Sequence, residues 1–456
     1  MPVVTTGQKH ARHSCVRTRI GIRSILRDLT NQFPIEQRSD LAPFVNWGGT
    51  ATKPIHRWIR YREAYSSDLI EVLGLGKRIL DPFCGCGSIM VGSAKLSRRS
   101  LGLDVNPLAT FAARVKLRPL SKRQIGRIVN FASVFRREVN AADAWPIPGL
   151  SISRKVFEPD ILETMMKLRR LIDIEHQNDT DTGEFLMLAW IAILETVGSY
   201  FKEGNGIKYR NKKRRPGRYE NRPDGEWQKR RFGSDQSAFV LHAFDRQLKM
   251  MIADVSEWLD GRWADQTVKR QDALRAAEAA KRRRFDSIVF SPPYANRFDY
   301  FESLKVELWF GGFVDSYDDM RSLRKMSLRS HLGADLKRPA QSIDVLEELI
   351  DLMDRDASSW RMGVAELLRG YFDDMLTVLR QCRTLAPNGD CHVVVGNSAF
   401  AGVIIPTDIL IARLGLSVGF DQVKIKKVRH LTVAPQQRAL LNGHIKHMRE
   451  SIVSFR

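Results

Sequence analysis

The sequence predicts an α/β fold in which a parallel sheet is interrupted by a long, mainly helical and basic segment. Two short apolar strands, at 77–83 and 100–105, flank a glycine-containing loop and a helix that begins at Ser88. This order is typical of a βαβ unit with parallel strands. Strand patterns do not return until 268–272 and 285–290. A long segment without strand patterns is therefore inserted between the two parts of the predicted sheet.

Composition favours a folded protein with a polyanionic partner. The 456 residues include 73 Lys and Arg against 52 Asp and Glu, which gives a formal net charge of +21, and 43% of them are hydrophobic. That hydrophobic fraction is enough for a core. The charge excess favours nucleic acid, because each neutralised phosphate releases condensed counterions. We find no stretch of about 18 apolar residues and no secretory signal, so we expect a cytoplasmic protein without a membrane partner.

The pattern divides the chain into three predicted parts. Residues 1–43 are polar and basic and are predicted to form an N-terminal arm or an added helix. Residues 44–115 and 266–456 carry the strand patterns and are predicted to form one catalytic domain. Residues 116–265 are predicted to form a helical and basic insertion between its two halves.

Helical periodicity dominates the insertion on both sides of a charged stretch. Apolar residues recur at helical spacing over 111–195 and again over 237–258. Between them, 202–231 holds twelve Lys and Arg against four acidic residues, together with several glycine turns, and is predicted to be a loop. At the end of the chain, 420–428 and 451–455 are predicted to form an antiparallel pair of strands.

The first candidate site is the segment Asp81-Pro-Phe-Cys-Gly-Cys-Gly-Ser, which follows a strand and begins a helix. Gly85 and Gly87 allow the backbone to approach a ligand closely at the carboxyl edge of the sheet. Asp104 ends the next strand, where its carboxylate can accept both hydroxyls of a ribose. The third glycine of a dinucleotide fingerprint would fall at Met90, so a nucleoside without a pyrophosphate fits better. A glycine turn with Asp104 as a helix cap is the structural alternative.

The second candidate site is Ser291-Pro-Pro-Tyr294, directly after an apolar strand. Two consecutive prolines cannot continue a strand ladder, so they fix a rigid turn. The turn leaves the Ser291 hydroxyl and the Ser291 and Pro292 carbonyls as fixed acceptors, with Tyr294 as a stacking surface. This set suits the exocyclic amino group of a planar base, which it can hold for in-line attack on a methyl group. Taken alone, the four residues are equally compatible with an ordinary proline turn.

Together, Asp81-Pro-Phe-x-Gly-x-Gly and Ser291-Pro-Pro-Tyr resemble the paired signatures of S-adenosylmethionine-dependent DNA amino-methyltransferases. The resemblance covers roughly 44–115 and 268–456 and implies a Rossmann-like methyltransferase sheet with helices on both faces. It implies methyl transfer from S-adenosylmethionine to the exocyclic amino group of a flipped DNA base, without a covalent enzyme intermediate. Enzymes that methylate carbon 5 of cytosine carry a Pro-Cys nucleophile, and no cysteine here follows a proline.

The resemblance also implies roles for individual residues. Asp104 would hold the cofactor's ribose, Asp272 its adenine, and Ser66 belongs to a segment that would close the pocket. The implied cofactor-binding residues are Asp81, Phe83, Gly85, Gly87, Asp104, Asp272 and Ser66. The implied catalytic residues are Ser291, Pro292, Pro293 and Tyr294.

The serine before Pro-Pro-Tyr is more typical of the N4-cytosine branch of that family, so we expect N4-methylcytosine as the product. N6-methyladenine stays open as an alternative. Two further alternatives are an RNA base methyltransferase, since unpaired RNA bases suit the same pocket, and a catalytically inactive protein that binds nucleic acid.

The insertion lies where one ordering of this family has a target-recognition region. Its basic run can clamp phosphates or read base edges, while a solvated basic loop is the alternative interpretation. The predicted DNA-binding residues are Lys208, Arg210, Lys212, Lys213, Arg214, Arg215 and Arg218. The expected partner is double-stranded DNA, a cognate restriction nuclease is an optional one, and the oligomeric state is left open. We predict no metal site, because Cys84 and Cys86 have no second cluster at zinc spacing.

Overall fold

The computed structural model describes residues 21–204, 206–215, 218–221, 226–258, 266–353, 360, 362–433, 435–441 and 443–456. The strands are β1 (Ile35–Gln37), β2 (Arg78–Asp81), β3 (Arg99–Asp104), β4 (Tyr200–Glu203), β5 (Gly206–Tyr209), β6 (Lys212–Arg215), β7 (Arg218–Asn221), β8 (Gln266–Arg270), β9 (Ser287–Phe290), β10 (Asp390–Gly396), β11 (Ser398–Phe400), β12 (Val403–Ile405), β13 (Val423–His430) and β14 (Arg449–Phe455).

The α-helices are α1 (21–32), α2 (Leu69–Val72), α3 (Ser88–Lys95), α4 (Pro107–Leu117), α5 (Lys122–Glu138), α6 (Ser153–Val156), α7 (Pro159–Asn178), α8 (Thr180–Val197), α9 (Glu226–Phe232), α10 (Gln236–Trp258), α11 (Ala276–Ala280), α12 (Tyr300–Ser303), α13 (Lys305–Phe310), α14 (Tyr317–Met326), α15 (Asp344–Asp351), α16 (Val364–Leu385), α17 (Thr407–Ser417) and α18 (Pro435–Leu441). Short 3-10 helices cover Ser39–Phe44, Trp47–Gly49, His56–Trp58, Ala273–Arg275 and Ile445–His447.

A central sheet of eight of these strands organises the molecule, in the order β1-β13-β14-β10-β9-β2-β3-β8. The strands from β10 to β8 run parallel to one another. The strand β14 runs antiparallel to both of its neighbours, β10 and β13, as predicted for the end of the chain. The sheet with its helices confirms the predicted α/β, Rossmann-like fold.

The strand order reverses between β2 and β9. The chain passes from β2 outward to β3 and β8, and it returns to the other side of β2 at β9. Ile79 of β2 pairs with Ser287 of β9, and Leu80 pairs with Ile288. Open α/β sheets bind ligands beyond the carboxyl ends of their strands at such a point. The two candidate motifs follow these two strands, so the topology brings them together.

The sheet is buried on both faces, as expected for parallel strands covered by helices. In β9, Ile288 packs into the core that contains Leu379 of α16, while Val289 packs into the core that contains Ile89 of α3. This alternation follows from the two-residue period of a strand. It explains why β9 is apolar along its whole length.

A third core unites the helices of the insertion with the segment that follows the second motif. Trp190 of α8 is fully buried, and its Nε1 donates to the carbonyl of Met165 at 3.0 Å. The Trp190 ring also faces Phe310 of α13, with ring centroids 6.4 Å apart. The insertion therefore packs on helices that come after the second motif in the chain. The domain boundaries proposed above stay a prediction.

The stretch 202–231, predicted to be a loop, contains two β-hairpins and a helix, so that prediction is wrong. In the first hairpin Tyr200 pairs with Tyr209, and such cross-strand aromatic pairs stabilise hairpins. The second hairpin pairs β6 with β7. The Gly204-Asn205 dipeptide between β4 and β5 is a hairpin signal. The high charge and glycine content of the stretch favoured a loop prediction over this hairpin signal.

The N-terminal region from residue 21 onward packs onto the sheet. Helix α1 buries Ile22, Leu26 and Leu29 in the core, and β1 adds a parallel strand next to β13. Residues 1–20 of the predicted arm lie outside the described residues. Among the described helices, none is long and apolar enough to cross a membrane.

Candidate active site

One cavity lies at the carboxyl ends of the parallel strands, where the two motifs meet. It has a volume of about 390 Å³, within the range of about 300–1,000 Å³ that is typical of small-molecule sites. The predicted site residues that line it are Phe83, Gly85, Asp104, Asp272, Ser291, Pro292, Pro293 and Tyr294. The sequence-based prediction therefore selected residues that the fold brings to a single place.

Asp81 shapes the glycine loop from behind. Its Oδ1 accepts from the Phe83 N–H at 3.0 Å, and its Oδ2 accepts from the Tyr65 hydroxyl at 2.5 Å. Burial raises the pKa of Asp81 to about 7, although the Tyr65 hydroxyl opposes that shift. Asp81 does not belong to the cavity lining. Its role in the structure is to hold the turn in which Phe83 presents its ring.

The two glycines of the loop have backbone conformations that favour glycine. Gly85 has a φ of +50° and Gly87 a φ of +84°, both in the left-handed region. A Cβ on Gly85 would lie 3.0 Å from the Tyr61 ring, and one on Gly87 would lie 2.9 Å from Cβ of Ala113. Gly85 lines the cavity, whereas Gly87 fixes how α3 begins.

Asp104 joins the glycine loop to the end of β3. Its Oδ2 accepts from the Gly85 N–H at 2.9 Å, and its Oδ1 accepts from the Asn106 N–H at 2.8 Å. A carboxylate oxygen has two lone pairs, so both oxygens keep capacity for ligand hydroxyls. Burial raises the pKa of Asp104 to about 6, opposed by the bonds from Asn106 and Gly85. The group is therefore charged at neutral pH.

Asp272 follows β8 and caps the short helix after it. Its Oδ1 accepts from the Leu274 N–H at 2.9 Å. Burial raises the pKa of this carboxyl, and the Leu274 N–H opposes the shift. Asp272 lines the same cavity as Asp104, so acceptors from neighbouring strands β3 and β8 face one ligand.

The Ser291–Tyr294 turn forms the opposite wall of the cavity. The ring of Phe290, just before the turn, packs against Phe83 of the glycine loop with centroids 5.4 Å apart. The Tyr294 ring lies over Gly396 at the end of β10, where a Cβ would come within 2.7 Å of it. The hydroxyl of Tyr294 donates to Glu450 Oε1 at 2.7 Å. The glycine loop is therefore in contact with the strand residue that precedes the turn.

Ser66 lies behind the cavity. It is 1% exposed, and its backbone N–H donates to the Phe44 carbonyl at 2.9 Å. The residues just before it, from Tyr61 to Tyr65, line the cavity instead. The predicted segment therefore reaches the site, but Tyr65 contacts the cavity and Asp81 where Ser66 was expected to bind.

Two groups of lining residues were missed by the sequence analysis. Arg429 and Glu450 come from the antiparallel strands β13 and β14, and the other group comes from the segment after α14. In that segment His331 is 2% exposed and accepts the Gly333 N–H on Nδ1 at 3.1 Å. Because Nδ1 accepts this bond, the proton of the neutral ring is on Nε2, which lies 2.9 Å from Ser327 Oγ.

A buried ion pair fixes the same segment. The guanidinium of Arg329, 1% exposed, donates from Nη2 to Asp374 at 2.7 Å and to Asp373 at 2.6 Å. A Cβ on Gly370 would lie 2.6 Å from Arg329, so the pair needs a glycine on α16. No local sequence pattern indicates this ion pair or its close contact with Gly370, because the partners lie far apart in the chain.

The basic run is only partly available for DNA. The Arg210 guanidinium donates to the carbonyls of Glu195 at 3.1 Å and Gly198 at 3.2 Å, so it holds the base of the first hairpin. Lys212 Nζ lies 5.1 Å from the centroid of the Tyr209 ring, and Lys208 is partly exposed. The side chains of the other predicted DNA-binding residues lie outside the described part of the chain: Lys213, Arg214, Arg215 and Arg218.

The cavity fits S-adenosylmethionine. Gly85 presents backbone without a Cβ atom to the cavity, the partly buried carboxylates of Asp104 and Asp272 provide acceptors, and Phe83 provides an apolar surface. When bound, this cofactor supplies an activated methyl group. Among the described residues, no group of three or more His, Cys, Asp or Glu side chains is arranged to hold a metal ion.

Comparison with known proteins gives the same assignment. The chain is 24% identical over 424 residues to the Type II methyltransferase M.AvaI of Nostoc sp., covering 84% of this chain and 82% of the relative. It is 25% identical over 420 residues to the Type II methyltransferase M.BsoBI of Geobacillus stearothermophilus, covering 84% and 81%. It is 22% identical over 356 residues to the Type II methyltransferase M.MvaI of Kocuria varians, covering 74% of each chain. No protein-family model matches the chain. With the two motifs on one cavity, the similarity to these Type II methyltransferases over most of the chain supports a DNA amino-methyltransferase.

Proposed function

We propose that the protein methylates the exocyclic amino group of a base flipped out of double-stranded DNA, and that the base is cytosine, modified at N4. One observation carries the proposal. The rigid Ser291–Tyr294 turn and the Asp81–Gly87 loop lie on the same cavity, because β2 and β9 are neighbours where the strand order reverses. A methyl donor and a planar acceptor held by these two loops would meet there.

The cofactor side would use the carboxylates for orientation. Asp104 would accept the ribose hydroxyls, and Asp272 would accept from the exocyclic amino group of the cofactor's adenine. Phe83 and Gly85 would line the methionine portion, with Asp81 and Gly87 supporting their loop. This division of roles agrees with the burial of Asp81 and with the place of Asp104 and Asp272 in the cavity lining.

The base side would hold the nucleophile. The Ser291 and Pro292 carbonyls and the Ser291 hydroxyl would accept the amino N–H groups, which favours a nitrogen lone pair directed at the methyl group. Pro293 would keep the turn rigid, and the Tyr294 ring would stack on the base. No covalent intermediate is needed. Burial raises the pKa of Cys84, which keeps its thiol protonated and weakly nucleophilic.

The first hairpin of the insertion would contribute to target recognition. Gly204, which follows β4 at the tip of this hairpin, lines the cavity. Arg62 Nη1 donates to the Lys202 carbonyl at 3.1 Å, and Lys202 Nζ lies 2.7 Å from Glu307 Oε1 on α13. The hairpin is thus fastened beside the catalytic turn. Lys208, which is partly exposed on this hairpin, would then face the phosphates next to the flipped base.

The choice of cytosine rests on Ser291 at the head of the turn. Adenine presents an equivalent exocyclic amino group at N6, so the same mechanism would serve it. The two products differ in mass and in parent nucleoside. Identification of the product therefore decides this point without any change to the proposed mechanism.

Nucleoside mass spectrometry after incubation with labelled S-adenosylmethionine tests the proposal. Mixed-sequence duplex DNA and structured RNA would be offered separately, with Ser291→Ala as the matched inactive variant. We expect N4-methylcytosine in DNA from the unaltered protein only. N6-methyladenine would overturn the choice of base, and methylation of RNA alone would overturn the DNA assignment. Resistance of the methylated DNA to a nuclease of the same site would support a restriction-modification partner.

A further inference from the structure

The stacking residue of the catalytic turn is fixed at both ends. Its backbone belongs to the rigid proline turn, and its hydroxyl donates to Glu450 Oε1 at 2.7 Å. The Tyr294 ring also packs closely against Gly396 of β10, where a Cβ would lie 2.7 Å from the ring. A tyrosine that needed only an apolar face would not require a charged acceptor for its hydroxyl.

The acceptor is itself held in place. Glu450 is 2% exposed, and its Oε2 accepts from Arg429 Nε at 2.5 Å. Burial and the Glu450 carboxylate both raise the pKa of the Tyr294 phenol, so the phenol stays protonated and acts as the donor. Arg429, Glu450 and Tyr294 therefore form a continuous chain of polar contacts, and all three line the cavity.

An irregularity in the sheet creates this arrangement. The pairing of β13 with β14 shifts between Lys427 and Arg429, and after the shift Arg429 lies directly opposite Glu450. Bulges of this kind redirect side chains and are common next to active sites. On the other side of β14, Glu450 pairs with Gly396, the residue under the Tyr294 ring. The register of three strand residues thus sets the orientation of one ring.

We infer that Glu450, held by Arg429, is a positioning residue that fixes the plane of the Tyr294 ring against which the target base stacks. The inference rests on the proposed function, because it concerns the same reaction. A free tyrosine ring explores several rotamers, whereas a ring bonded at its hydroxyl has one orientation. A base stacked on a fixed ring has its amino group held at a fixed height above Ser291 and Pro292.

Four variants test this inference: Tyr294→Phe, Glu450→Gln, Glu450→Ala and the double variant Tyr294→Phe/Glu450→Ala. The first keeps the ring and removes the bond, while Gln keeps an acceptor but loses the charge. We expect Tyr294→Phe and Glu450→Ala each to lower the single-turnover methyl-transfer rate by on the order of 10- to 100-fold. Cofactor affinity should stay unchanged, and Glu450→Gln should retain part of the rate.

The double variant separates positioning from general stability. Because both single changes break the same bond, the double variant should be no slower than the slower single one. As a matched control, Glu347→Gln disrupts a comparable carboxylate–arginine pair with Arg369, in which Nε donates at 2.8 Å, outside the cavity lining. It should leave the rate unchanged. If Glu450→Ala does not fold, the methyl-transfer rate of Tyr294→Phe, which keeps the packing of the ring, tests the inference without it.

A fluorescent probe gives an independent result. With 2-aminopurine at the target position, stacking on a fixed Tyr294 ring quenches its emission, so Tyr294→Phe and Glu450→Ala should emit more strongly. Equal rates and equal emission for these variants and the unaltered protein would overturn the inference while the proposed function stands. Additive reductions in rate in the double variant would also overturn it. Absence of any methylated DNA base with the unaltered protein would instead overturn the proposed function.

Discussion

The two walls of the cavity are built in different ways. Most of the proposed cofactor wall comes from one βαβ unit, β2 to β3, and Asp272 is added from the segment after β8. Its carboxylates accept from backbone N–H groups, as Asp104 does from Gly85. The proposed base wall is assembled from Ser291–Tyr294, the segment after α14 and the antiparallel strands β13 and β14. Its contacts join side chains from distant parts of the chain, such as Tyr294 and Glu450.

Because of this difference, the two walls are suited to different ligands. A wall made of local backbone contacts has nearly one geometry, which suits a cofactor that does not change between related enzymes. A wall made of distant side chains can be altered at one segment without disturbing the others. Selection of the target base is therefore expected to depend on the second wall.

The largest effect is expected on the base wall. Ser291→Ala removes a hydroxyl acceptor at the reacting nitrogen and should lower the methyl-transfer rate by on the order of 100- to 1,000-fold. Cofactor and DNA affinity should change little, because the turn is held by its prolines. Single-turnover kinetics and equilibrium binding measure the two quantities. Loss of cofactor binding in Ser291→Ala would show that Ser291 belongs to the other wall.

The next effect concerns stability on the cofactor wall. The pKa of Asp81 is raised to about 7 in the fold, above about 3.9 for an unfolded aspartate. The folded protein therefore loses stability as pH rises from about 4 to about 7, because the carboxyl ionises more readily in the unfolded chain than in the fold. The free energy of unfolding of the unaltered protein should therefore be lower at pH 8 than at pH 5 by on the order of a few kcal/mol. Asp81→Asn should remove this difference. Denaturant unfolding at both pH values measures it; an identical pH dependence in the variant would contradict the assignment.

A smaller effect is expected for the ribose contact. Asp104→Asn replaces a charged acceptor by a neutral one and should weaken cofactor binding by on the order of 10-fold. The pKa of Asp104 is raised to about 6, so affinity in the unaltered protein should fall as pH drops below that value. The variant should lose this pH dependence. Calorimetric titration between pH 5 and 8 gives both results, and a pH dependence retained in Asp104→Asn would assign it to another group.

The smallest effect distinguishes residues within the basic run. Changing Lys212 and Lys213 to Gln should reduce the slope of log affinity against log salt by about 0.9 for each phosphate that is no longer neutralised. Arg210→Gln should instead lower thermal stability and leave the slope unchanged, because its guanidinium bonds protein carbonyls. Filter binding at several salt concentrations and thermal unfolding check the two expectations. A changed slope for Arg210→Gln would place that residue on the DNA.

The sequence allowed prediction of residues that follow strands, and it failed where contacts depend on packing. Asp81, Asp104 and Ser291 each lie at or just after the end of an apolar strand, so the sheet topology alone brings them together. The Arg429–Glu450 pair depends on a register shift between two strands, which no local pattern encodes. Composition likewise cannot show that Arg210 bonds carbonyls rather than solvent, since its partners are backbone atoms.

The most direct test of the account is a crystal structure of the protein with a non-reactive S-adenosylmethionine analogue and a DNA duplex that contains the target base. We expect a flipped cytosine stacked on Tyr294, with its amino nitrogen about 3 Å from the Ser291 hydroxyl or the Pro292 carbonyl. The analogue should contact Asp104 and Asp272. A target base held away from the Ser291–Tyr294 turn, or left within the duplex, would contradict the account.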